Sequence, residues 1–338
     1  NAIPTNGDVQ VTFPSGFDLT GVGSSSASSA ADITGTLTAS VSGQVLTVNL
    51  GSGLSASTAV DDLIIASVKN PTATGSTGTF AVETQNASDV KIDEGTGAAV
   101  TINPAGITIS GTVYTNEAKS ANVGSSVTIG LSVNGATKTT ASTDANGAFS
   151  FSTIAVNAND TVLLFVDGHA SYEANFVSQT ADNSSNMTGI EMYTSKVVLS
   201  HASAGPMTNT LLATADNTAD DDIHYAITGS NVDFDDAYEL WIATGKTYTP
   251  GGTVEAEDLE VEGSGTFNPA GNAVTIHGNW KVSSTGAFTS SGTVTFDAAS
   301  GAKTITSGGT DVSHDFNNLT KSGGGTLQLS TNAIDIDG

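Results

Sequence analysis

One pattern limits this chain more than any other: apolar residues fall at every second position in segment after segment. Val127, Ile129, Leu131 and Val133 alternate with Thr128, Gly130 and Ser132, and Val9, Val11 and Phe13 alternate with Gln10 and Thr12. A period of two places alternate side chains on one face of an extended strand, whereas a helix needs a period near 3.6. The pattern excludes a helical bundle. It also answers disorder, which a chain rich in Gly, Ser, Thr and Ala with only 13% charged residues would otherwise suggest. The fold class it predicts is all-β, with two tandem β-sandwich domains followed by a β-solenoid, or β-helix-like, region.

The boundaries follow from texture. Residues 1–104 hold about six strand-like runs at the spacing of a sandwich of ~100 residues. Leu37, Ala39 and Val41 face Leu46, Val48 and Leu50 across Ser42-Gly43-Gln44, which predicts a hairpin. Leu63 to Val68, Thr79 to Glu83 and Ala98 to Ile102 read as further strands, with Gly95 to Gly97 as a turn. Pro104-Ala105-Gly106 reads as a linker. Residues 105–195 form a second sandwich, in which Asp160 to Val166 is a continuous apolar run and therefore central.

Residues 196–338 differ. Gly263-Ser-Gly-Thr-Phe267 recurs as Thr285-Gly-Ala-Phe288, and Gly271-Asn-Ala-Val-Thr-Ile276 as Gly292-Thr-Val-Thr-Phe296, at offsets of 21 and 20 residues. Gly325-Thr-Leu327 opens another partial unit. Self-similarity at about 20 residues, with short strands between glycine corners, is the signature of a solenoid. The sequence stops at Ile334-Asp-Ile-Asp-Gly338 in mid-pattern, so either more chain or another subunit is expected to cover that end. A first residue of Asn rather than Met reads as a mature or excised segment.

Ser110-Gly-Thr-Val-Tyr114 and Thr143-Asp-Ala-Asn-Gly-Ala-Phe-Ser-Phe151 resemble the opening strand and mid-domain turn-strand of prealbumin-like or immunoglobulin-like modules in bacterial surface proteins. Gly292-Thr-Val-Thr-Phe-Asp297, Thr304-Ile-Thr-Ser-Gly-Gly309 and Phe316-Asn-Asn-Leu-Thr320 resemble repeats of very large bacterial surface and filament proteins. Such modules serve as spacers or adhesive stalk units. The resemblance implies no catalytic residue.

Charge removes further classes. Against 34 carboxylates stand nine basic residues, all lysine, for a net charge of -25. Such a chain cannot neutralise phosphates, so no nucleic-acid partner is expected. With no cysteine, disulfides, thiolate metal sites and thiol nucleophiles are excluded. No apolar run approaches the ~18 residues of a membrane span, and no signal peptide is visible.

The chemistry left is sparse. Asp216, Asp220, Asp221, Asp222, Asp233, Asp235 and Asp236 gather oxygens of the kind a hard cation such as Ca2+ takes. They lack the twelve-residue loop of an EF-hand, and a solvated, self-repelling loop is the plainer reading. No cofactor is required. Asp144 and Asn146 form a weaker oxygen pair, explained by the turn alone. Asp297, Asp311, Asp315, Asp335 and Asp337 lie where a β-helical polysaccharide-degrading enzyme would carry acids, but no arginine accompanies them. Trp241 and Trp280 read as core, and the five histidines are scattered, with His224 at the surface. Asn86, Asn159, Asn183, Asn186 and Asn318 open glycosylation sequons.

These readings converge on a non-enzymatic structural subunit of an extracellular or cell-surface assembly, a filament or surface layer. Its partners would be copies of itself, joined by strand pairing, to which Asn1 to Val11 could contribute, and by end-to-end stacking. An adhesin or carbohydrate-binding module facing cell-surface polysaccharide is the alternative. A β-helical enzyme is the third class.

Overall fold

Strand alternation becomes burial directly in the first hairpin. Leu46, Val48 and Leu50 are fully buried, while Val45, Thr47 and Asn49 between them are half-buried. In the computed structural model, which describes all residues except 57, 59, 61, 74, 103–105, 204, 217–219, 331–332 and 338, the chain divides into two units, 1–104 and 105–338. The expected linker Pro104-Ala105-Gly106 has its first two residues outside the described set, and Gly106 opens a strand.

The first unit is built on a five-stranded antiparallel sheet. Its order is Leu37–Ser42, Val45–Leu50, Gly7–Thr12, Phe80–Gln85 and Lys91–Gly97. Ile3, Ala27, Ile33 and Ala39 complete the core over one face. Phe13, Phe17 and Phe80 meet with ring centroids 5.3–5.5 Å apart.

Three expectations are corrected here. Gly7–Thr12 lies mid-sheet, paired with Val45–Leu50 on one side and Phe80–Gln85 on the other. Within Asn1 to Val11, the part from Gly7 onward is therefore not free to act as a donor strand, because its backbone groups are already committed. Gly95 to Gly97 is not a turn but the end of the edge strand Lys91–Gly97. Of Leu63 to Val68, only Ile64–Ile65 is strand, paired with Ala27–Ser28.

In the second unit, Gly106–Tyr114 runs between Ala148–Ala155 and Met187–Tyr193, making a three-stranded sheet. Facing it is a sheet of ten strands that begins antiparallel with Thr139–Ser142, Thr128–Val133, Thr161–Val166 and Asn175–Gln179. The continuous run at Thr161–Val166 is buried at every position, as a strand covered on both faces must be. From Lys196–Leu199 onward the same sheet becomes parallel and forms one face of the solenoid.

The solenoid follows the sequence period. Tyr248, Phe267 and Phe288 stand in register on one face, and Val254, Val274, Val294 and Leu319 on another. Leu240, Leu259, Trp280 and Ile305 form the third row. The aromatic interior is continuous, with Tyr248–Phe267 at 5.6 Å, Phe267–Phe288 at 5.9 Å and Phe288–Phe316 at 5.2 Å. Trp241 and Trp280 are both buried, as read from the sequence. Corners bring rungs close: a Cβ on Gly252 would stand 1.8 Å from the Ser230 carbonyl oxygen, so only glycine fits there.

Among the described residues one short helix, Asn209–Ala215, covers the first turn, with the Thr208 hydroxyl accepting from the Leu211 N–H at 3.2 Å. Its Leu212 and Ala215 enter the solenoid core. Buried Asn209 is fully engaged, donating to Ser230 O and accepting from the Tyr248 hydroxyl. At the opposite end, Asn318–Lys321 and Thr326–Leu329 are the last rungs of their ladders, and Val312, Leu329 and Ile336 stand exposed there.

Candidate functional site

The seven aspartates read as a cation site occupy three places. Asp216 follows the helix, and burial raises its pKa. Asp220 and Asp222 converge instead with Asp167, a residue 53 positions upstream of Asp220 that sequence spacing could not bring in. The Lys138 ammonium sits on this group, 2.8 Å from Asp167 and 2.6 Å from Asp220. The hydrogen bonds to Asp167 and Asp220 raise the lysine's pKa. Asp222 accepts from the Gly168 N–H at 2.7 Å, and Asp221 is exposed.

The strongest positive charge at this group is thus already a lysine amine. We expect chelation with EDTA to leave the melting temperature unchanged. Lys138→Met, by contrast, should cost about 1–3 kcal/mol and be partly rescued by Ca2+. A fall in the wild-type melting temperature on chelation would establish a bound cation instead.

Asp233, Asp235 and Asp236 line a groove of about 690 Å³ on the solenoid wall, with Glu255, Glu257, His277, Asp297 and Lys303. Parallel register creates it. Asp233 stands beside Glu255, while Glu257, His277 and Asp297 directly follow the aligned Ala256, Ile276 and Phe296. His277 Nδ1 lies 2.6 Å from Asp297 and Nε2 lies 3.0 Å from Glu255. Burial works against charge on His277, but the two carboxylates outweigh it and raise its pKa. Both ring nitrogens are engaged by carboxylates, and Glu257 is paired with Lys303 at 3.0 Å. A carboxylate on each ring nitrogen favours the protonated ring.

His224 is a second correction. It is buried rather than at the surface, stacked on Tyr238 at 3.7 Å, with Glu173 and Asp235 each 3.3 Å from a ring nitrogen. Of the other acids weighed as catalytic, Asp315, Asp335 and Asp337 cluster near the last rung, and Asp311 pairs with His314 at 3.1 Å.

A buried ionic network tethers the loop after Gly106–Tyr114 to the solenoid wall. The Lys196 ammonium contacts Glu239, lies 3.0 Å from Glu117 and sits 4.3 Å over the Trp241 ring. Lys281 contacts Glu260, whose burial pushes its pKa up to about 8. Beside this network, a cleft of about 770 Å³ opens along Met187–Tyr193 over Val198 and Trp241.

Of the sequon asparagines, Asn159, Asn186 and Asn318 are exposed, and Asn86 and Asn183 are half-buried. The Asn86 side chain accepts from the Ser88 and Val90 N–H groups, and Asn186 from Thr108.

No protein-family model and no curated protein sequence matches the chain. Among solved structures it is similar to the major pilin subunit BcpA of Bacillus cereus, at 15% identity and a TM-score of 0.22 over 56% of this chain and 60% of that one. It is also similar to the full-length major pilin SpaD of Corynebacterium diphtheriae, at 12% identity and a TM-score of 0.24 over 57% and 59%. The TIE protein of Bacillus anthracis gives 10% identity and a TM-score of 0.26 over 57% and 35%. The chain thus spans about 60% of the length of these two pilins. At these TM-scores the likenesses carry no argument about function.

Proposed function

We propose that the chain is a structural subunit of an extracellular or cell-surface assembly, joined to its own copies by strand pairing and solenoid stacking. The observation that carries this is a set of sheet edges inside the chain. Lys91–Gly97 ends the first unit's five-stranded sheet and Thr139–Ser142 opens the ten-stranded sheet of the second, each paired on one side only among the described residues. A strand paired on one side only is a template for directional backbone pairing. The adhesin alternative would need aromatic side chains offered to a glycan. Every Trp, Tyr and Phe among the described residues is instead at least partly buried. Among the described residues no helix is long and apolar enough to cross a membrane.

Association should be concentration-dependent and promoted by salt, since a net charge of -25 repels copies beyond a screening length of ~8–10 Å. Light scattering and negative-stain microscopy with increasing NaCl test this. Thr96→Pro, in the edge strand Lys91–Gly97, should weaken it while circular dichroism stays unchanged. A wild-type chain that remains monomeric at high concentration in salt would refute the reading and favour the adhesin.

A further inference from the structure

We propose that the cleft beside Met187–Tyr193 is the slot of an absent fourth strand, and that it receives the edge strand Lys91–Gly97 of a second copy of this chain. The inference deepens the assembly reading and rests on it.

The slot arises from a mismatch between the two layers of the sandwich. The three-stranded sheet stops at Met187–Tyr193, which is paired with Gly106–Tyr114 on one side. The opposing sheet continues beneath the cleft through Lys196–Leu199 and Glu239–Ile242. In those two strands Val197, Leu199, Leu240 and Ile242 point into the solenoid core, whereas Val198 and Trp241 point the other way and join the sandwich core. These two side chains, 2% and 6% exposed, floor the cleft past the last strand of the layer above it.

Backbone groups face the same space. The Thr194 N–H donates to Tyr114 O. Because alternate residues of a strand address the same neighbour, Glu191 and Tyr193 turn theirs toward the cleft. Among the described residues neither has a backbone partner on that side. A half-paired strand above an apolar floor is the geometry that an added strand completes.

Charge selects the occupant. Three of the chain's nine lysines, Lys119, Lys246 and Lys281, line this cleft, together with Glu117, Glu191 and Glu262. Lys119 and Lys281 are answered by Glu191 and Glu260. Lys246 donates to the His201 carbonyl at 2.8 Å and has no carboxylate partner among the described residues. A carboxylate that answers Lys246 is the complement. Lys91–Gly97 is paired on one side only, in the first unit's sheet, and exposes Asp93 and Glu94, of which Glu94 is paired with Lys91 at 2.8 Å. It is seven residues long, as is Met187–Tyr193, so the two edges match over roughly 23 Å.

The absence of cysteine makes the test clean. Thr188→Cys chains are mixed with Thr96→Cys chains and treated with a short bismaleimide. The expected cross-linked yield is about tenfold that of Thr188→Cys mixed with Ser264→Cys, an exposed solenoid-corner control. Adding Lys246→Glu to the Thr188→Cys chain should bring the yield down to the control. Equal yields from the two mixtures would overturn the slot, whether or not the chain assembles. Light scattering on the cysteine-free chain reports assembly independently. Association without the preferential cross-link therefore refutes the slot alone, and neither association nor cross-link refutes both readings.

Discussion

Replacing Phe288 by alanine is expected to cost about 3–5 kcal/mol, the range for deleting a fully buried aromatic side chain. Phe288 is 0% exposed, and its ring lies 4.6 Å from Trp280, 5.2 Å from Phe316 and 5.9 Å from Phe267. Neighbours on adjacent rungs are held by parallel backbone ladders, so they cannot collapse into the space, and the cavity term adds to the lost transfer energy. For a unit of this size the loss corresponds to a fall in melting temperature on the order of 10 °C. The effect should be confined to the transition of the second unit. Residues 1–104 have their own core around Leu46, Val48 and Leu50 and should melt as in the wild type. Calorimetry separates the two. A loss below about 1 kcal/mol would show that the stack is not packed as described.

The second large effect is a fall in stability between about pH 4.5 and pH 8. Burial pushes Glu260 from 4.5 to about 8, and burial also raises Glu239, Glu173, Asp222 and Asp233. His277 is raised above 6.5, the Asp297 and Glu255 carboxylates outweighing its burial. Each of these groups holds its proton more tightly folded than unfolded. Their contribution is complete below the unfolded value and is lost as pH rises through the folded one. For Glu260 that window runs from 4.5 to about 8, and for His277 it starts near 6.5. Asp18, Asp144 and Asp182, held low by hydrogen bonds, act oppositely and only below about pH 4. The melting temperature should therefore peak near pH 5 and decline by several degrees toward pH 8.5. Glu260→Gln keeps the volume and an oxygen for Lys281 but cannot titrate, so its profile should be flatter, with the gap from wild type largest at high pH. A wild-type profile rising from pH 5 to 8 would contradict the buried network.

What could be read beforehand depended on where each contact lay along the chain. Phe267 and Phe288 betray their shared row because an interior stack asks for the same residue type at every turn. The strand Lys91–Gly97 escaped detection because, as a largely exposed edge, it needs no apolar alternation. Asp220 and Asp222 were visible as a charge cluster. Their real partners, Asp167 and Lys138, flank the strands Thr161–Val166 and Thr139–Ser142, and only the ten-stranded sheet brings them together. His224 looked like surface because its neighbours in sequence are acidic. Its burial is imposed by Tyr238 and Glu173, one following and one preceding it in the chain.

The parallel ladders have a mechanical consequence. Their hydrogen bonds point from rung to rung, so tension along the stack loads the rungs in series, while the faces of each rung share the force. Failure then begins at the junction with the fewest bonds. Along the sheet that enters the sandwich, Glu239–Ile242 meets Asp258–Val261 at four residue pairs and Asp258–Val261 meets Trp280–Val282 at three. Trp280–Val282 meets Ala302–Thr306 at two, Trp280 with Ile305 and Lys281 with Thr306. Across that same turn Thr293–Phe296 keeps four pairs with Asn318–Lys321, so under load the Trp280–Val282 face should open first while the opposite face carries the force.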